Sequence, residues 1–137
     1  MKLTNTPSIK RKSGMTLLEL TVVILVLLSL ISILFIGARA WKKGSDRAAN
    51  ILNIRNVQQA VRAHANVRAL NIGDALIATT DIVGTGKYLN SVTTPNTDIS
   101  YTYGAAVPAI GSLYLVAAYA SGTSTDYAPA ATTYAEW

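Results

Sequence analysis

Apolar residues fill one unbroken stretch of this chain and recur at regular intervals in much of the rest. From Leu17 to Ile36, twenty consecutive residues include one acid, one threonine and two serines, and no charge recurs between Leu20 and Ala38. At about 1.5 Å per residue this run makes a helix roughly 30 Å long, the thickness of a hydrocarbon core. The helical signal continues past it. From Ser45 to Leu70 there is no proline and no glycine, and Ile54, Val57, Val61 and Ala65 recur at three- and four-residue steps with Ile51 on the flank. Arg55, Gln59, Arg62 and Asn66 share another face, so this half is amphipathic. Gly37 and Gly44 lie between the halves; each costs about 1 kcal/mol relative to alanine, and neither is a firm stop. The pattern predicts one helix from about residue 16 to about residue 70, apolar all round at first and striped afterwards.

Asn71-Ile72-Gly73-Asp74 has the turn chemistry that ends a helix. Thr79-Thr80-Asp81 suits the start of a short helical turn, which Gly84-Thr85-Gly86 breaks again. Beyond Asn90, Ile99, Tyr101 and Tyr103 alternate with polar residues, as in a half-buried strand. Leu113 to Tyr119 is a denser apolar run that predicts a second strand, with Pro108 to Gly111 turning the chain between them. Ser121 to Ala131 reads as a loop, and Thr132 to Trp137 as a third strand. So small a sheet is marginal alone. Packed over Ile54, Val57 and Val61 it gives an α+β fold, with the apolar half of the helix left uncovered.

With 137 residues there is room for one small domain. The net charge of +5 is concentrated at one end: Lys2, Lys10, Arg11 and Lys12 precede Met15 with no acid among them, and eight Lys/Arg face seven Asp/Glu thereafter. A nucleic-acid footprint needs a basic face on the folded body, and this basicity is a terminal tag. The absence of cysteine excludes disulfides, thiolate metal sites and a cysteine nucleophile. Residues 1–14 read as a basic leader that holds the N-terminus in the cytoplasm by the positive-inside tendency, although Arg39, Lys42 and Lys43 flank the other side.

Glu19 is the anomaly of the apolar run. Intramembrane ionisable residues usually have a partner. If the chain is cut between Gly14 and Met15, the new α-amino group lies in the same layer, and the amine of one copy can meet the carboxylate of its neighbour. Here the residues match a family. Gly14-Met15-Thr16-Leu17-Leu18-Glu19, following Lys10-Arg11-Lys12, resembles the prepilin leader and cleavage motif of type IV pilins and type II secretion pseudopilins. The usual pattern is glycine, phenylalanine, threonine, two aliphatics and glutamate before a long apolar run; Met15 replaces the phenylalanine. Arg47 to Ala65 resembles the pseudopilin helix that follows the span, around Asn53-Ile54-Arg55-Asn56. Asp81-Ile82-Val83-Gly84 and Gly86-Lys87-Tyr88-Leu89 resemble the connection in small pseudopilins.

The resemblance implies cleavage after Gly14 by a membrane-embedded prepilin peptidase, N-methylation of Met15, and use of Glu19 and Thr16 in docking between subunits. It implies a leader at 1–14, a transmembrane and assembly helix at 15–37, and a periplasmic pilin-like domain at 38–137 of a single-pass inner-membrane protein. The implied partners are other pilin or pseudopilin subunits, the peptidase and an inner-membrane assembly platform. The expected function is that of a structural subunit of a pilus-like filament, a type II secretion pseudopilin. A type IV pilin or minor pilin is the alternative, and a plain signal-anchored protein a further one. A secretory signal cleaved at Ala38-Arg39-Ala40 fits less well, because the apolar region exceeds the usual 7–15 residues.

Other candidates are thinner. Major pseudopilins hold calcium in an acidic loop, but Asp98 and Asp126 are the only acids between Tyr88 and Ala135, leaving Asp126 as a weak candidate ligand and no cofactor expected. His64, the only histidine, sits away from the main stripe and reads as a solvated or partner-facing imidazole. No nucleophile, second histidine or carboxylate pair accompanies it, so no catalytic constellation forms. Gly84-Thr85-Gly86-Lys87 lacks the spacing of a phosphate loop and reads as a turn. The C-terminal tyrosines read as half-buried packing with wet hydroxyls. Trp41 suits an interfacial belt, and Asp46 and Arg47 are candidates for pairing across subunits.

Overall fold

The computed structural model describes Gly14 and residues 16–137. Lys10, Arg11, Lys12 and Met15 lie outside the described residues. The first element, α1, spans Leu17–Arg68. The chain divides into two compact units, one up to Ala38 and the other Arg39–Trp137.

In the first unit the apolar side chains have nothing to pack against. Leu17, Leu25 and Leu34 are 79%, 69% and 74% exposed, and the large side chains between them are exposed on every face of the helix. The few polar side chains are turned inward on the helix itself. Thr21 Oγ1 donates to Leu18 O at 2.8 Å, Ser29 Oγ to Val26 O at 2.7 Å and Ser32 Oγ to Leu28 O at 2.8 Å. The backbone groups are satisfied along the helix as well, so the run meets the condition for a segment surrounded by hydrocarbon. One helix near the N-terminus is long and apolar enough to cross a membrane.

The second unit is an α+β arrangement built on the amphipathic half of α1. The stripe read from the sequence is the core: Ile54, Val57, Ala60, Val61 and Ala65 are buried with Leu76, Ile82, Val107, Tyr114 and Leu115. α1 ends earlier than the turn residues suggest. Ala69 takes a left-handed conformation (φ 54°), and Leu70 N–H donates back to Ala65 O at 2.9 Å, the helix-ending geometry that usually employs glycine. Asn71 to Asp74 then forms a separate turn in which Asn71 N–H donates to Asp74 Oδ2 at 2.6 Å. A single π-helical turn at Ala78–Ile82 follows, closed by Val83 N–H on Ala78 O at 2.8 Å.

The sheet has two antiparallel strands, β1 (Ile99–Tyr103) and β2 (Leu115–Tyr119), with Ile99 opposite Tyr119 and Tyr103 opposite Leu115. Gly111 (φ 80°) sits in the connection where the turn was expected. The third strand does not form. Ala131–Thr133 is a short 3-10 turn, and Trp137 O accepts from Arg62 Nη2 and Gly111 N–H instead of a neighbouring strand. Tyr134 and Trp137 lie against each other and Trp137 against the core, and the Trp137 carbonyl that a ladder would use is already engaged. The expected loop before it contains one helical turn, α2 (Ser124–Tyr127), whose Tyr127 is buried.

Polar side chains of α1 hold these pieces in place. Asn50, fully buried, donates through Nδ2 to Tyr127 O at 3.0 Å and Tyr119 Oη at 3.1 Å, and accepts from Tyr101 Oη at 2.9 Å. Asn53 Nδ2 donates to Thr93 O at 2.9 Å and Tyr101 Oη at 3.2 Å. Gln58 spans a break in the chain's own pairing, donating to Ser112 O at 3.0 Å and accepting from Tyr114 N–H at 3.0 Å. Arg62 donates to Pro108 O and Trp137 O, both at 3.1 Å. The hydroxyls of Tyr101, Tyr119 and Tyr114 are thus each bonded to protein, Tyr114 Oη reaching Leu76 O at 3.0 Å.

Two stability measurements check this account, each by thermal or denaturant unfolding of the detergent-solubilised protein. Ile54→Ala removes a side chain that is 1% exposed and costs about 2–5 kcal/mol. Ala69→Gly, in contrast, relieves a left-handed alanine and stabilises by about 1 kcal/mol; an unchanged or lower midpoint would show that Ala69 carries no strain.

Candidate functional site

A helix starting in an apolar run has free N–H groups and few side chains to satisfy them. Here Thr16 and Glu19 do so reciprocally. Glu19 N–H donates to Thr16 Oγ1 at 3.3 Å, and Thr16 N–H donates to Glu19 Oε2 at 3.1 Å. This is a capping box, and it places an acid where the positive end of the helix dipole favours one. Glu19 therefore has a role within its own chain, one that the Thr-x-x-Glu spacing before an apolar run carries in the sequence. The box uses one carboxylate oxygen; the other makes no hydrogen bond among the described residues. The side chain can start its own helix and still receive a donor from outside.

Gly14 lies just before this start, exposed and outside any regular element. A Cβ added there meets nothing within 4 Å. Among the described residues nothing demands glycine at this position. Ala38, Arg39 and Ala40 lie inside α1. A protease that takes extended substrate would have to unwind the helix to cut there.

A second group of charges gathers where the second unit begins. Lys43 Nζ donates to Asp126 Oδ2 at 2.8 Å, and the hydrogen bond and the charge of Asp126 together push the lysine pKa up. Lys42 Nζ approaches Asp46 Oδ2 at 3.2 Å, and Asn96 Nδ2 donates to the same oxygen at 2.9 Å. The Asn96 hydrogen bond, aided by Lys42 and opposed by burial, holds the Asp46 carboxyl below its ordinary range. Asp46, a candidate for pairing across subunits, thus has partners in its own chain. Asp126, the weak candidate ligand, has its Oδ2 paired with an ammonium group. Among the described residues no group of three or more His, Asp or Glu side chains is placed to hold a metal ion.

His64 departs from its expected exposure. It is buried, with Tyr88 edge-on to its ring at a centroid distance of 5.7 Å. Sequence reasoning also passed over Asn50 and Gln58, polar residues on the buried face of α1. Their only signal was position, at steps of four through Ile54. No family model, curated protein or solved structure matches the chain.

The Asp46 contacts set a direction for acid stability. Because its folded pKa lies below the unfolded value, the contribution is complete above the ordinary aspartate value of about 3.9 and is lost as pH falls through the folded one. Asp46→Asn is expected to lower the unfolding midpoint near neutral pH and to shrink its fall between about pH 5 and pH 3. Parallel curves for the two proteins would assign that fall to other groups.

Proposed function

We propose that this chain is a structural subunit of a pilus-like filament, a pseudopilin of the type II secretion class, matured by cleavage after Gly14 and N-methylation of Met15. The observation that carries the reading is the Gly14-Met15-Thr16-Leu17-Leu18-Glu19 motif, set where α1 begins and followed by a run with no cover of its own. A single copy leaves that surface to lipid. Side-by-side packing of several copies would cover it, and the free oxygen of Glu19 would receive the new amine of a neighbour. In a low-dielectric layer such a pair selects register, since an unpaired charge there is costly. The chain acts by assembly and performs no catalysis of its own.

The capping box supports a second reading, in which the chain is a single-pass anchored protein and Glu19 does no more than start its helix. Mass analysis of the membrane-extracted protein, made in a bacterium with a prepilin peptidase, separates the two. The filament subunit begins at methylated Met15, and Gly14→Val leaves the leader attached without altering the folded domain. An intact chain from the unmodified protein supports the anchor, and one beginning at Trp41 supports a secretory signal.

Glu19→Gln tests the role of the acid. Glutamine preserves the capping box but carries no charge. The variant is expected to be cleaved normally and to be lost from sheared or cross-linked filaments. Filaments at wild-type yield would reduce Glu19 to a cap.

A further inference from the structure

The second unit contains a cleft that neither the core nor the apolar run requires. It lies between the last turns of α1 and the loop around Thr80 to Tyr88 and has a volume of about 610 Å³, within the range of small-molecule sites. His64 lines it, only 8% exposed. Its ring nitrogens have no hydrogen-bond partner among the described residues, and its one aromatic neighbour, Tyr88, lies edge-on at 84°. Among the described residues no buried side-chain nitrogen or oxygen lacks a partner, so the ring nitrogens remain accessible, one donor and one acceptor in the neutral form. A ligand in the cleft is placed to bond them in place of water.

The charge of the lining indicates what that is. Arg68 comes from the end of α1, and Lys87 from the Gly84-Thr85-Gly86-Lys87 turn. That turn has no phosphate-loop spacing, yet with Gly86 at φ 77° it brings its lysine to the same cleft as Arg68. Neither cation takes part in an ion pair among the described residues. The hydroxyl-bearing Thr80 and Tyr88 add polar groups. Asp81 is the one acid in the lining, and its Oδ2 accepts from Ile77 N–H at 2.9 Å, so that oxygen belongs to the turn beneath. Two cations against one acid leave the lining net positive.

We propose that this cleft binds a small ligand bearing an oxyanion, a phosphate ester or a carboxylate, held by Arg68 and Lys87 with His64 completing the contact. Guanidinium, ammonium and hydroxyl groups around one space suit such a head group. The volume exceeds that of the head group alone and leaves room for an uncharged polar body near Asp81. The proposal is independent of how the N-terminus is matured.

Because His64 is the only histidine, its ring gives a single set of imidazole resonances in an untagged protein. The full chain in an uncharged detergent is titrated at fixed pH with inorganic phosphate, and separately with acetate, against chloride at matched ionic strength. A saturable shift of the His64 resonances is expected with at least one oxyanion and not with chloride. Saturation with phosphate alone assigns the phosphate ester class; saturation with acetate as well admits carboxylates. Arg68→Gln and Lys87→Gln are each expected to weaken binding at least about tenfold, while Lys42→Gln, at a cation elsewhere, leaves it unchanged. Both side chains are exposed, so an unaltered unfolding midpoint shows that each variant remains folded. A shift that fails to saturate with either oxyanion, that appears equally with chloride, or that survives both substitutions in folded protein overturns the proposal.

Discussion

A peptide group withdrawn from water must find another partner, and beyond α1 this chain has few strands to provide one. Its sheet has two strands of five residues each. Most of the remaining backbone runs as turns and short helical pieces against the amphipathic half of α1. The helix therefore does more than offer an apolar face. Asn50 accepts and donates where the sheet meets the C-terminal turn, Gln58 acts as a substitute strand between Ser112 and Tyr114, and Arg62 ties Pro108 to Trp137. Removing one of these amides leaves a carbonyl or hydroxyl buried without a partner, a penalty of about 1–3 kcal/mol. Around them Ile54, Val57 and Val61 exclude the water that would otherwise compete.

That division of labour explains what could be read in advance. Period and run length are properties of the sequence, so the extent of α1, its change from uniform to striped, and the positions of β1 and β2 were legible. The buried amides were not. Asparagine and glutamine at stripe positions look the same whether they face solvent or a loop folded back from fifty residues away, and only tertiary structure distinguishes them. The same reason hid the burial of His64 beneath Tyr88. The third strand was over-read because six residues, with Tyr134 and Trp137 as the large apolar side chains, are too few to show a period. Groups at Trp137 had stronger claims on them from Arg62 and Gly111.

Glu19 shows how one side chain can carry a local role beside the one its position suggests. An acid in an apolar run draws attention as a group in need of a distant partner. Its nearest partner is Thr16, three residues away. The two roles do not exclude each other. By holding one oxygen on the helix, the capping box fixes where the other lies. A fixed acid costs less to pair than a mobile one, because its side-chain freedom has already been given up.

The hydroxyls of Thr21, Ser29 and Ser32, each bent back onto its own helix, have a mechanical consequence. From Leu20 to Ile36 no side-chain hydroxyl then has its proton free for a neighbour. Contact along it rests chiefly on dispersion, which changes gradually as two helices slide or turn against each other. A helix lying along this segment would meet few specific bonds to break as it slid.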